Sequence, residues 1–114
     1  MANNWSIPIE LEEKIRRRDK LCVYCCVEMK PHFRSKETPS DKATFEHIDN
    51  DEFNITEGNI CLCCAACNSS KGAKKLVDWL ESKYCEERNI SRKTVAKVIQ
   101  EYLATESRSV GISN

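Results

Sequence analysis

No apolar run in the 114-residue chain comes near the ~18 residues a membrane-spanning helix needs, so no span is expected. The N-terminus, Met1-Ala2-Asn3-Asn4-Trp5, lacks the charged-then-apolar order of a secretory signal, and the expectation is a cytoplasmic protein. Net charge is missing too: 18 basic side chains balance 18 acidic ones, which counts against a generally basic nucleic-acid binder. Prolines number three, and two of them fall in the unpatterned stretch Lys30 to Ala43, read as a long surface loop. No internal repeat or low-complexity tract is visible. A chain of this length suggests one domain over residues 1–114, with a limited buried share, so an added staple is plausible.

Cysteine is plentiful: the chain has eight. In a reducing compartment these are metal ligands or buried thiols rather than disulfides. Charge is also clustered. Lys14 to Lys20 reads K-I-R-R-R-D-K, Lys71, Lys74 and Lys75 form a second group, and Arg92, Lys93 and Lys97 a third. Such groups can contact phosphates even in a neutral chain, although a solvated helix face explains the third better.

Ile7, Leu11 and Ile15 recur at helical spacing, and Pro8 suits a first turn, which predicts a helix from about Pro8 to Asp19. Thr44 to Ile48 reads as a short strand, and the turn-rich Asp49 to Glu57 as the loop after it. Ile60 and Leu62 alternate with Cys61 and Cys63, predicting a half-buried second strand that runs into a helix near Ala65. An amphipathic helix is expected over about Lys75 to Arg88. A last helix is expected from Ser91 as N-cap, with Ile90 stapled onto Val95 and Val98, Ile99, Tyr102 and Leu103 continuing the face. Residues 1–6 and 105–114 read as flexible ends. The core would occupy about 8–72, and the C-terminal helical part about 73–104.

Two Cys-x-x-Cys pairs, Cys22/Cys25 and Cys64/Cys67, can supply the four thiolates of a closed tetrahedral zinc site. Such a site contributes roughly 10–16 kcal/mol of metal-binding free energy. Register alternatives exist: Cys26 for Cys25, and Cys61 or Cys63 for a member of the second pair. The matched two-residue gaps favour 22/25 with 64/67, leaving Cys26, Cys61, Cys63 and Cys85 as buried thiols. His32, in the proline-containing loop, reads as exposed rather than as a ligand. A second constellation combines Glu46, His47, Asn59 and Asn68, where Glu46 and Asn68 offer hard oxygens suited to magnesium or manganese.

The ordered segments Cys22-Val23-Tyr24-Cys25, Glu46-His47-Ile48 and Gly58 through Gly72 resemble the HNH endonuclease family. The resemblance covers roughly Lys14 to Gly72. It implies a ββα-metal core of two antiparallel strands and a helix, stapled by a four-cysteine zinc site, with a preceding N-terminal helix. With the two C-terminal helices that periodicity predicts outside the resemblance, the expected fold is small α+β. The resemblance further implies a DNA endonuclease, either nicking or cutting both strands, acting as monomer or homodimer. His47 would be the general base, Glu46 and Asn68 would hold a catalytic Mg2+ or Mn2+, Asn59 would brace the loop, and Lys71 would meet a substrate phosphate. The sequence departs from the family pattern in two places: Glu46 stands where aspartate is common, and the loop after Ile48 lacks the usual proline and double glycine. That loop also brings Asp49, Asp51 and Glu52 near the site, either as further metal ligands or as charges that repel DNA. The competing expectations are a zinc-stapled nucleic-acid-binding module without catalysis and a zinc-organised protein-interaction module.

Overall fold

Helix α1 (Ile9–Arg18) begins at Pro8, whose fixed φ of −58° suits a helix entry and whose carbonyl accepts from Glu12 N at 2.9 Å. Glu10 and Glu12 in its first turn and Arg16 to Arg18 in its last complement the helix dipole. In the computed structural model the described residues are 7–29 and 42–112. The predicted loop over Lys30 to Ala43, with His32 in it, and the predicted flexible segment 1–6 lie outside them, except for Lys42 and Ala43.

Past α1 the chain makes a tight knuckle at Cys22–Cys25. Cys22 N donates to Val27 O at 2.9 Å, Cys26 N donates to Cys22 O at 3.0 Å, and Leu21 bridges Glu28. Strands β1 (Ala43–His47) and β2 (Ile60–Cys64) then pair antiparallel, with Ala43 opposite Cys64 and His47 opposite Ile60. Helix α2 (Ala65–Lys71) leaves the end of β2 directly and packs on both strands. It stops at Gly72, whose φ of +50° is a conformation that side-chain-bearing residues rarely adopt. The fold is therefore small α+β: a ββα unit beside a four-cysteine cluster, flanked by helices.

The expected half-buried β2 is instead buried at all five positions. The sheet has just two strands among the described residues, and both of its faces are covered. Ile60 and Leu62 pack against Ile7 and Ile15, while Cys61 and Cys63 join Tyr24, Trp79, Ile99 and Leu103 on the opposite side. A polar clamp closes the α1 side. Arg18 makes a forked pair with Asp19 at 2.7 and 2.8 Å, and Asp19 Oδ2 accepts from Leu62 N at 3.0 Å. Arg18 also donates to Ile60 O at 2.8 Å.

The C-terminal part departs from expectation at three points. The single helix predicted over Lys75 to Arg88 is two: α3 (Leu76–Leu80) and α4 (Lys83–Glu87). Ser82 breaks it, because its hydroxyl caps Cys85 N at 3.3 Å and opens a new helix. The last helix, α5 (Lys97–Ile112), starts six residues after Ser91. Residues 91–95 form a separate turn, and Ala96 N donates to Val23 O at 2.8 Å, a tertiary bond that interrupts the helix ladder. The backbone is also helical through Ile112, well past Leu103, at which the predicted apolar face ends. Three helices thus follow α2 among the described residues, not two.

Candidate functional site

The four sulfurs of Cys22, Cys25, Cys64 and Cys67 lie within 4.8 Å of one another, so the preferred register is the one the fold assembles. Cys25 Sγ is 3.7 Å from Cys64 Sγ. Tetrahedral zinc with bonds of about 2.3 Å places its sulfurs about 3.8 Å apart, so the cluster has the right size for such an ion. The local backbone supports the thiolates: Cys64 is the N-cap of α2, and its Sγ accepts from Cys67 N at 3.4 Å. Tyr84 donates to Cys67 Sγ at 3.4 Å. Hydrogen bonds from Cys64 and Cys67 hold the Cys22 thiol down to about 2. The same sharing pushes Cys64 up to about 12 and Cys67 higher still. One thiolate is stabilised by its neighbours' protons, whereas four together need a cation. The cluster can therefore hold a metal ion such as zinc. Cys61, Cys63 and Cys85 are buried in the core as expected, whereas Cys26 is exposed at a φ of +66°.

A second feature lies at the other end of the strand pair. A cleft of about 440 Å³ is lined by Glu46 and His47 at the end of β1, by Asn50 to Phe53 in the following loop, and by Asn68, Gly72 and Ala73. Neighbouring residues on a strand face opposite ways, yet Glu46 and His47 both border this cleft, because β1 ends at His47 and the chain turns. Asn68 is held from β1, its amide nitrogen donating to Thr44 Oγ1 at 2.9 Å and to Phe45 O at 3.2 Å. Its carbonyl oxygen is the remaining polar atom of that amide. Burial lowers the His47 pKa, against the opposing pull of Asp49, Glu52 and Asp51.

Asn59 sits across the loop. Its Oδ1 accepts from Asp49 N at 3.0 Å, and its Nδ2 donates to Asp49 Oδ1 and Asn54 O, both at 2.9 Å. Those bonds tie together both ends of the segment that follows His47. Asn54 adds a bond to Asp49 Oδ2 at 2.7 Å. Both carboxylate oxygens of Asp49 thus accept bonds from inside the loop, and the residue serves the loop's own closure.

Two residues stand differently from the sequence expectation. Lys71, expected toward a substrate phosphate, is fully buried. Its ammonium is 2.9 Å from Asn50 Oδ1 and 3.7 Å from Glu46 Oε1, so its charge is directed inward. The first basic cluster is likewise partly absorbed: Lys14 pairs with Glu57, Arg16 with Glu12 and the Phe45 ring, and Arg18 with Asp19. Glu46 is buried as well, and burial pushes its pKa up to about 7 against the opposing effects of Lys71 and Tyr24. Tyr24, fully buried between two cluster cysteines, donates its hydroxyl to Glu46 Oε2. Sequence reasoning missed that contact; nothing in the spacing of Tyr24 and Glu46 signals it.

Glu46 and Asn68 both line the cleft, with Glu46 already engaged by the Tyr24 hydroxyl and, at 3.7 Å, by the Lys71 ammonium. Among the described residues no second group of three or more His, Cys, Asp or Glu side chains has metal-binding geometry. No described helix is long and apolar enough to cross a membrane. Comparison with family models, curated proteins and solved structures gave no match.

Proposed function

We propose that the protein is a divalent-metal-dependent DNA endonuclease of the HNH type, with zinc on Cys22, Cys25, Cys64 and Cys67 as its structural staple. The observation that carries the reading is the gathering of Glu46, His47 and Asn68 on one cleft at the end of an antiparallel pair that the cysteine cluster anchors. His47 takes the proton of the attacking water, and burial keeps its imidazole in the neutral, proton-accepting form. Glu46 and Asn68 would hold the Mg2+ or Mn2+, which would supply Lewis-acid stabilisation of charge on the phosphate and the leaving oxygen. Asn59 braces the loop after His47 and so fixes the base's orientation.

A zinc-stapled interaction module without catalysis is the second reading. It is favoured by the inward-facing Lys71 and by Asp51 and Glu52 on the cleft, which oppose a polyanion. Supercoiled plasmid incubated with the protein and Mg2+ or Mn2+ separates the two. Conversion to open-circle or linear DNA that chelator abolishes supports the nuclease. Plasmid left supercoiled under every metal supports the module.

A further inference from the structure

Four thiolates around one divalent zinc leave an excess of negative charge, and Cys22, Cys64 and Cys67 are buried. Buried charge needs hydrogen-bond donors around it. The backbone supplies one, from Cys67 N to Cys64 Sγ at 3.4 Å. Another comes from outside both cysteine pairs: the Tyr84 hydroxyl donates to Cys67 Sγ at 3.4 Å, across 17 positions of chain. Among the described residues Tyr84 is the one side chain, other than the cysteines themselves, that donates to a cluster sulfur. Its ring is held in place. Tyr84 lies in the first turn of α4, the helix that Ser82 opens by capping Cys85 N at 3.3 Å. The ring is 5.9 Å from that of the buried Trp79, and Trp79 Nε1 donates at 3.0 Å to Ser70 Oγ, on the same helix as Cys67. The Arg88 guanidinium stacks over the Tyr84 ring, 3.8 Å from its centroid.

We propose that Tyr84 is an outer hydrogen-bond donor of the zinc site, through which the C-terminal helical part secures the metal on Cys67. The inference rests on zinc at the four cysteines and not on catalysis in the cleft. A donor on a thiolate draws charge off the sulfur and fixes the ligand's orientation, and partners of this kind are worth on the order of 10–100-fold in metal affinity. α4 lies beyond Gly72, where the resemblance to the nuclease family ends, so the proposal gives that part of the chain a task of its own. Removing the hydroxyl leaves the ring beside Trp79 and Arg88 but takes one donor from Cys67.

The test is the zinc affinity of the full chain, by competition with a chromophoric chelator, for wild type and Tyr84→Phe, together with the absorption spectra of the two proteins loaded with Co2+. The expected result is a zinc Kd about 10–100-fold weaker in Y84F. The sulfur-to-cobalt charge-transfer band should move to lower energy, because a thiolate relieved of a hydrogen bond gives up electron density more readily. An equal Kd overturns the inference, and so does an unmoved band, which would mean that the ring acts by packing alone; either leaves the zinc site and the nuclease reading standing. A wild type that binds neither zinc nor cobalt overturns the inference and the zinc staple together. If Y84F does not fold in excess zinc, 3-fluorotyrosine in place of Tyr84 alone keeps the ring and makes its hydroxyl a stronger donor. A band at higher energy then supports the inference, and a band at the same or lower energy overturns it.

Discussion

Cys25 Sγ and Cys64 Sγ lie 3.7 Å apart although 39 positions separate them in the chain. That closure brings the knuckle to the end of β2 and encloses β1 and its loop. Metal on the four cysteines would therefore supply a large part of the domain's stability. Purified protein is expected to carry close to one zinc per chain by elemental analysis. Cys22→Ser should lose the zinc and the cooperative thermal transition, because the forfeited binding energy, about 10–16 kcal/mol, matches a small domain's whole stability. A zinc-free C22S with an unchanged transition would contradict this.

Glu46 makes stability pH-dependent in a direction opposite to most carboxylates. Its folded pKa is raised to about 7 from 4.5, so the folded state holds a proton that the unfolded chain releases. The stabilisation is complete below pH 4.5 and is lost as pH rises through 7. Without added Mg2+ or Mn2+, the melting temperature of wild type should fall from about pH 5 to about pH 8 more steeply than that of Glu46→Gln. Parallel profiles would show that the carboxylate does not titrate in that window.

Lys71 is buried beside Glu46, so its removal should act on folding and not on contact with DNA. Lys71→Met removes the cation that lowers the Glu46 pKa, so the buried carboxyl should keep its proton to higher pH, and in denaturant titration the zinc-loaded variant should lose stability relative to wild type. Where the variant still folds, the slope of log affinity for DNA against log salt should match wild type. A lysine on a phosphate would instead reduce that slope by roughly one unit.

Asn59 makes three hydrogen bonds that close the loop after His47. Asn59→Ala exposes or orphans their partners and should cost about 1–3 kcal/mol with zinc content unchanged. A melting temperature equal to wild type would remove Asn59 from its bracing role.

Much of this arrangement is legible in the sequence. Two matched Cys-x-x-Cys pairs point to the cluster, and β-rich segments on either side of a turn-rich loop point to the strand pair. What escapes a sequence reading depends on long-range contacts. The late start of α5 follows from Ala96 N bonding to Val23 O, across 73 positions, and periodicity cannot register that. The break at Ser82 is readable in principle, since a serine inside a helical pattern is a capable cap, but the continuous apolar face masks it. Full burial of β2 needs knowledge that α1 covers one face and the α3–α5 region the other. Lys71 looks like a surface cation one turn past Asn68, and only the position of Glu46 and Asn50 shows why it faces inward.

The most direct measurement compares wild type with His47→Ala on supercoiled plasmid, enzyme in excess, with Mg2+ or Mn2+. Both proteins should contain zinc and share a melting transition, since His47 stands apart from the cysteine cluster. Removing a positioned base typically slows a reaction about 10²–10⁴-fold. The account predicts plasmid opening by wild type and a loss of that size in H47A. Wild type that leaves the plasmid supercoiled, or H47A that opens it at the wild-type rate, would contradict it.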